Sequence, residues 1–235
     1  MNKYKILKDQ YVKVCGKKLY RIQALKYFNG VKSGDIGGYI EKESNLSQSD
    51  NAWVHGNAQV FGNAWVSGNA RVSGNARVSG NAWVSGNAWV YGNAWVYGNA
   101  WVSGNAEVFG DSEVAGNARV SGTAWVSGNA WVYGNAWVSG NAEVFGDSEV
   151  AGDARVSGTR HYLNLGPIGS RYGYTTIYRD KNKKAIVVCG CFHGDLDSFE
   201  RAVHKTHAWT KYEAEYMTLI QLARLREKEW LDEVD

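Results

Sequence analysis

From Asp50 to Ser157 the chain writes a six-residue unit, Gly-Asn-Ala-x-Val-x, eighteen times without an insertion. A chain of 235 residues could form two ordinary domains, but a repeat of fixed length overrides that estimate, because each unit must stack on its neighbours. Within a unit Ala-x-Val-x alternates, so Ala and Val share one face of a short strand and the variable residues share the other. Gly and Asn best tolerate positive φ, which predicts a tight corner between units. Four extended residues and a corner cannot fold back as a hairpin without turning the Val face outward. Coiling removes the conflict: units become the sides of a prism, Ala and Val point to its axis, and backbones pair with the coil above.

The pattern resembles the hexapeptide repeat of left-handed parallel β-helices. Val fills the aliphatic position from Val54, Val60 and Val66 onward at every sixth residue to Val156, and Ala52, Ala58 and Ala64 begin the small position. The resemblance implies three units per coil, a triangular section, a left-handed crossover against the usual rule, and frequent trimers. Eighteen units then make six coils, roughly 25–30 Å tall at about 4.8 Å per coil. The expected fold class is mainly β: a left-handed parallel β-helix over residues 50–158, between an N-terminal β-rich cap with a degenerate first coil (1–49) and a small C-terminal α+β domain (159–235).

The flanks support this division. Tyr4 and Ile6, then Tyr11, Val12 and Val14, then Leu19, Tyr20 and Ile22 alternate like strands, with Gly16 and Lys17 placed to turn a hairpin. Ile40 and Leu46 lie six and twelve residues before Ala52, in register with the repeat. After Ser157 the period stops. Tyr162–Ile168, Tyr172–Tyr178 and Ala185–Phe192 read as three strands. Asp197 with Glu200 fits a helix start, and Thr210 with Glu213 fits a capping box opening a second helix.

An 18-residue coil sorts the outward residues into columns. Side one carries Trp65, Trp83, Trp101, Arg119, Trp137 and Arg155, beside serines at 67, 85, 103, 121, 139 and 157. Side two carries Trp53, Arg71, Trp89, Glu107, Trp125 and Glu143, beside His55, Ser73, Tyr91, Phe109, Ser127 and Phe145. Side three carries Gln59, Arg77, Trp95, Glu113, Trp131 and Glu149, beside Phe61, Ser79, Tyr97, Ala115, Tyr133 and Ala151. Residues 101–123 and 137–159 differ only by Asn117 against Asp153, which suggests growth by two coils at a time.

Nine tryptophans on one rod would form apolar patches beyond those usual for a soluble monomer. Part of that surface can be covered by cation–π and ring packing between coils, or by self-association, with a trimer as the natural form. The candidate binding surface is therefore Trp65, Trp83, Trp101, Arg119, Trp137, Arg155, Trp89, Trp95, Trp125, Trp131, Tyr91, Tyr97 and Tyr133, and the expected partners are further copies of the chain and a foreign protein, since Trp, Tyr and Arg make interface hot spots. Nucleic acid is disfavoured: the +3 net charge resolves into +5 over residues 1–50, −3 over 51–158 and +1 over 159–235, so the repeat is acidic.

Catalytic and metal chemistry find little support. Acyltransferases of the hexapeptide type need a His base, and His55 is the sole histidine in a repeat with no interrupting loop. Cys189, Cys191 and His193 alternate as though on one strand face, with His204 and His207 further on, but Cys-x-Cys is not the usual paired zinc spacing, and no metal or cofactor is expected. No secretory signal or membrane-length apolar run is seen, so the three cysteines are expected reduced in the cytoplasm. The N-terminal Leu-Tyr-Arg-Ile-Gln-Ala-Leu and Gly-Asp-Ile-Gly-Gly-Tyr-Ile-Glu-Lys-Glu, with the C-terminal Gly-Pro-Ile-Gly-Ser and Cys-Gly-Cys-Phe-His-Gly, resemble hexapeptide-repeat proteins of phages and prophages, some of which are assigned as acyltransferases. That resemblance implies a phage accessory role in a host cell. The residues thus point to a non-catalytic binding protein that engages, and could inhibit, a host defence or regulatory protein. A CoA-dependent acyltransferase and a sequestering protein for nucleotides or other planar ligands are the alternatives.

Overall fold

The structure, a computed structural model, describes residues 2–233. Eighteen two-residue strands, β4 (Trp53–Val54) through β21 (Arg155–Val156), form the prism, each pairing in parallel with the strand 18 residues away. Side one is a six-stranded parallel sheet from β6 to β21, side two a six-stranded sheet from β4 to β19, and side three continues into the N-terminal strands. Every repeat Val, from Val54 to Val156, and every repeat Ala on the same face is buried, and all belong to one axial core. Serine replaces Ala at two axial sites, Ser112 and Ser148, and Ser112 remains satisfied by donating to the Phe109 carbonyl at 2.8 Å.

The corners divide their work differently from the expectation. Gly alone takes positive φ; no repeat Asn does. Most corner Asn instead pass their side-chain amide to the residue one coil on. One corner runs Asn63 to Asn81, Asn99, Asn117, Asn135 and finally Asp153, with donor–acceptor distances of 2.9–3.2 Å. Glycine is required there twice over. Gly104 has φ +68, and a Cβ on it would stand 2.9 Å from the Gly122 carbonyl oxygen.

The first coil is present but irregular, giving about seven turns in all. β3 (Ile36–Ile40) pairs in parallel with Gln59–Val60, and Leu46 bridges to Val66. Acids cap the amides that no coil above can satisfy: Glu41 accepts from Gly62 N and Asp50 from Gly68 N, both at 2.6 Å. β1 (Tyr4–Val14) and β2 (Lys17–Ala24) add an antiparallel hairpin to the same sheet, so the cap and side three are continuous. Its turn is Cys15–Gly16, both at positive φ, and Lys17 already belongs to β2. Trp53, placed outward by the column pattern, is buried beneath the cap against Tyr4 and Phe28. Lys3 is buried beside them and donates to the Ala52 carbonyl at 2.7 Å.

The C-terminal domain has four strands rather than three. β22 (Tyr162–Ile168), β23 (Gly173–Arg179), β24 (Ala185–Cys189) and β25 (Phe192–Asp195) form an antiparallel sheet, because Gly190, at φ +58, turns the chain inside the segment read as one strand. One face, with Tyr162, Tyr178 and Val188, joins the axial core under the last coil; the other, with Ile177 and Val187, packs on α1 (Leu196–His207) and α2 (Lys211–Asp232). The α1 cap is Asp195, whose side chain accepts from Ser198 N, two residues before the expected start. The capping box at Thr210 does not form: Glu213 accepts from Trp209 N and pairs with His204.

Two outcomes test this account. Gly104→Ala should destabilise by about 3 kcal/mol, combining left-handed strain with the backbone clash, whereas Gly152→Ala, at φ +62 with no atom within 4 Å of its Cβ, should cost only about 1 kcal/mol in chemical denaturation. Burial lowers the Lys3 ammonium to about 8, outweighing the neighbouring Asp50 carboxylate. The unfolded chain therefore binds more protons between 8 and the ordinary 10.5, so stability should rise by about 2 kcal/mol from pH 8 to 10, and Lys3→Met should flatten that rise.

Candidate functional site

Strand pairing places the outward residues in the three columns expected. On side one, Trp65 meets Trp83 edge to face at 5.4 Å, and Trp83 stacks on Trp101 at 5.0 Å with 6° between the rings. The Arg119 guanidinium lies 5.1 Å from the Trp101 ring and 5.0 Å from Trp137, and Arg155 caps Trp137 at 4.6 Å. This column is a continuous ladder of rings and cations, ruled by serines that leave the Arg119 edge open beside Ser103 and Ser121.

On the other sides the ladder is mixed. Arg71 and Arg77 cover Trp89 and Trp95 at 5.3 and 5.8 Å, and Tyr91 stacks on Phe109 at 4.9 Å. Trp95 is half-buried and donates weakly to Ser79. Each outward tyrosine bends to a glutamate sixteen residues on: Tyr91 donates to Glu107 at 2.9 Å, Tyr97 to Glu113 at 3.0 Å, and Tyr133 to Glu149. Burial, then these carboxylates, push the phenols up, Tyr91 and Tyr133 to about 12. The pairing was hidden in sequence because the two partners sit in different columns, and only the coil period converts sixteen residues into one rung.

After all this mutual cover, Trp65, Trp83, Trp89, Trp101, Trp125, Trp131 and Trp137 remain 39–52% exposed. The Ala115 rung of side three leaves a slot of about 270 Å³ between Tyr97, Trp131 and Tyr133.

The other candidates lie apart. His55 sits half-buried at the side-two edge of the cap, edge-on to Trp53, and burial followed by the nearby Arg71 lowers its basicity. Cys189, Cys191 and His193 do not share a face. Cys189 turns to the helical side, accepting from Thr175 at 3.1 Å; Cys191 is exposed in the turn after β24; His193 pairs across the sheet with Val188 and meets the Tyr178 hydroxyl at 3.1 Å. His204 binds Glu213, and His207 packs on Tyr216. Among the described residues no group of three or more His, Cys, Asp or Glu is placed to hold a metal ion, and no helix is long and apolar enough to cross a membrane. A 440 Å³ pocket between the C-terminal sheet and α1, lined by Phe192, Phe199, Val203 and Tyr216, was not foreseen, since it depends on the fourth strand.

The YdcK beta solenoid repeat family matches residues 58–74, 70–86, 84–98, 88–104 and 124–140, all inside the prism. These stretches are similar to that repeat, in agreement with a parallel β-solenoid. No curated protein matches the chain.

A phenol must keep its proton to donate, so the Tyr–Glu pairs contribute fully below pH 10 and are lost as pH rises through about 12. Tyrosinate absorbance should show Tyr91 and Tyr133 ionising only as the pH approaches about 12. Glu149→Gln should lower the Tyr133 midpoint without returning it to 10, because burial is the larger cause.

Proposed function

We propose that the chain is a non-catalytic binding protein of the hexapeptide-repeat, phage-accessory type, acting in the cytoplasm of a host cell. In this reading the β-helix is a rigid rod. Its serine-ruled side one forms the seam with further copies of the chain, and sides two and three engage a host protein and thereby inhibit it. The observation that carries the reading is the exposure of seven tryptophans that remains after the ring and cation stacking between coils. Rings fixed at rung spacing lose little conformational entropy when covered, which is what an interface anchor needs. The unequal sides, one of Trp and Arg and two of Trp alternating with Glu in the later coils, supply separate chemistries for self and foreign contacts.

The first substitution is one that its own column already carries. Trp83→Arg should lower the oligomeric mass in sedimentation equilibrium, since Arg119 and Arg155 occupy the same column. Trp125→Ser with Trp131→Ser should leave the melting temperature within about 5 °C yet weaken capture of the host partner more than about tenfold. Acetyl-CoA turnover abolished by His55→Ala would overturn the proposal in favour of an acyltransferase.

A further inference from the structure

Side three has a gap in its own aromatic ladder. Tyr97 and Tyr133 stand two rungs apart in one outward column, and the rung between them presents only Ala115. Elsewhere on the prism a rung next to a ring is filled in two ways. On side two a ring fills the next rung, with Phe109 stacked on Tyr91. In the neighbouring Trp column of side one a cation fills a rung between two rings, with Arg119 held between Trp101 and Trp137, while the residue matching Ala115 there is Ser121.

Glu113 decides between them. Its carboxylate borders the slot and accepts the Tyr97 hydroxyl through one oxygen, and it makes no ion pair among the described residues. A carboxylate has about four acceptor positions, so capacity remains for an incoming donor. A neutral ring laid over it would strip water from the charge and return nothing. A guanidinium is flat enough to stack between rings and carries forked N–H donors that fit a carboxylate. The later rungs of this side, which carry Glu113 and Glu149 and no Lys or Arg, are complementary in charge.

We propose that the slot over Ala115 receives an arginine side chain of the partner protein, stacked between Tyr97 and Tyr133 and hydrogen-bonded to Glu113. It rests on the reading of the rod as a protein-binding surface and names the chemistry of one contact. The slot thus reproduces between two chains the Trp101–Arg119–Trp137 sandwich that the prism makes within itself.

The experiment titrates the full chain with N-acetylarginine amide, and separately with N-acetyllysine amide and adenosine, following the Trp131 indole N–H by NMR. Arginine amide should shift it saturably, with half-saturation at about 1–10 mM for a single side chain. Glu113→Gln should weaken that response about tenfold. Ala115→Phe, which supplies the ring already accommodated at Phe109, should abolish it. An equal response to lysine amide or adenosine, or an arginine response that survives Ala115→Phe, overturns the assignment. If arginine amide produces no shift while the Trp125 and Trp131 substitutions still abolish partner capture, the slot assignment alone fails; if partner capture also survives those substitutions, the protein-binding reading fails with it.

Discussion

The close approach of one coil's backbone to the next governs this molecule. At the corners the glycines of successive coils are stacked so tightly that a single added carbon would meet main-chain oxygen at about 3 Å or less along most of the stack. That contact holds the coils in strict register. Register in turn aligns the valines on the axis, the asparagines at the corners and the tryptophans outside. An asparagine ladder has meaning only when each amide finds the next carbonyl at the same height, and the 2.9 Å spacing from Asn81 to Asn99 requires the glycine beside it to let the chains close.

The same register turns isolated surface residues into collective features. Arg119 would be an ordinary exposed arginine on a single strand; between Trp101 and Trp137 it shields two rings at once. Tyr97 and Glu113 belong to different columns, yet the coil brings them to hydrogen-bonding distance. Because the paired backbones hold each residue to its own rung, a small residue such as Ala115 leaves a vacancy between Tyr97 and Tyr133 that their rings do not fill. Shape on this surface is therefore set by substitutions at single rungs.

The prism was almost wholly legible in the sequence, because period, alternation and corner residues all pointed to one solution. Its ends were less so, for a physical reason: they answer to the requirements of termination. Trp53 follows the outward pattern perfectly and is buried because the cap folds over it. Gly190 looks like an interruption in a strand and is a turn between two, which moved Cys191 out of line with Cys189 and exposed the true N-cap, Asp195. The candidate surface was legible as columns, but the Tyr–Glu links and the slot required knowing how far each ring leans toward the next rung.

A stack of short parallel strands in register is, chemically, a fragment of fibril, and every fibril fragment has two growing tips. Here both are closed. At one end the chain reverses into antiparallel strands whose outermost member, β1, exposes Lys5, Lys8 and Lys13, charges that discourage pairing with another edge. At the other, the C-terminal sheet crosses the axis and Lys181 N bonds to the Asp153 carbonyl of the last coil. Coils can consequently be gained or lost in the middle by duplication while the same two stoppers keep the rod finite, so its reach can vary without inviting polymerisation.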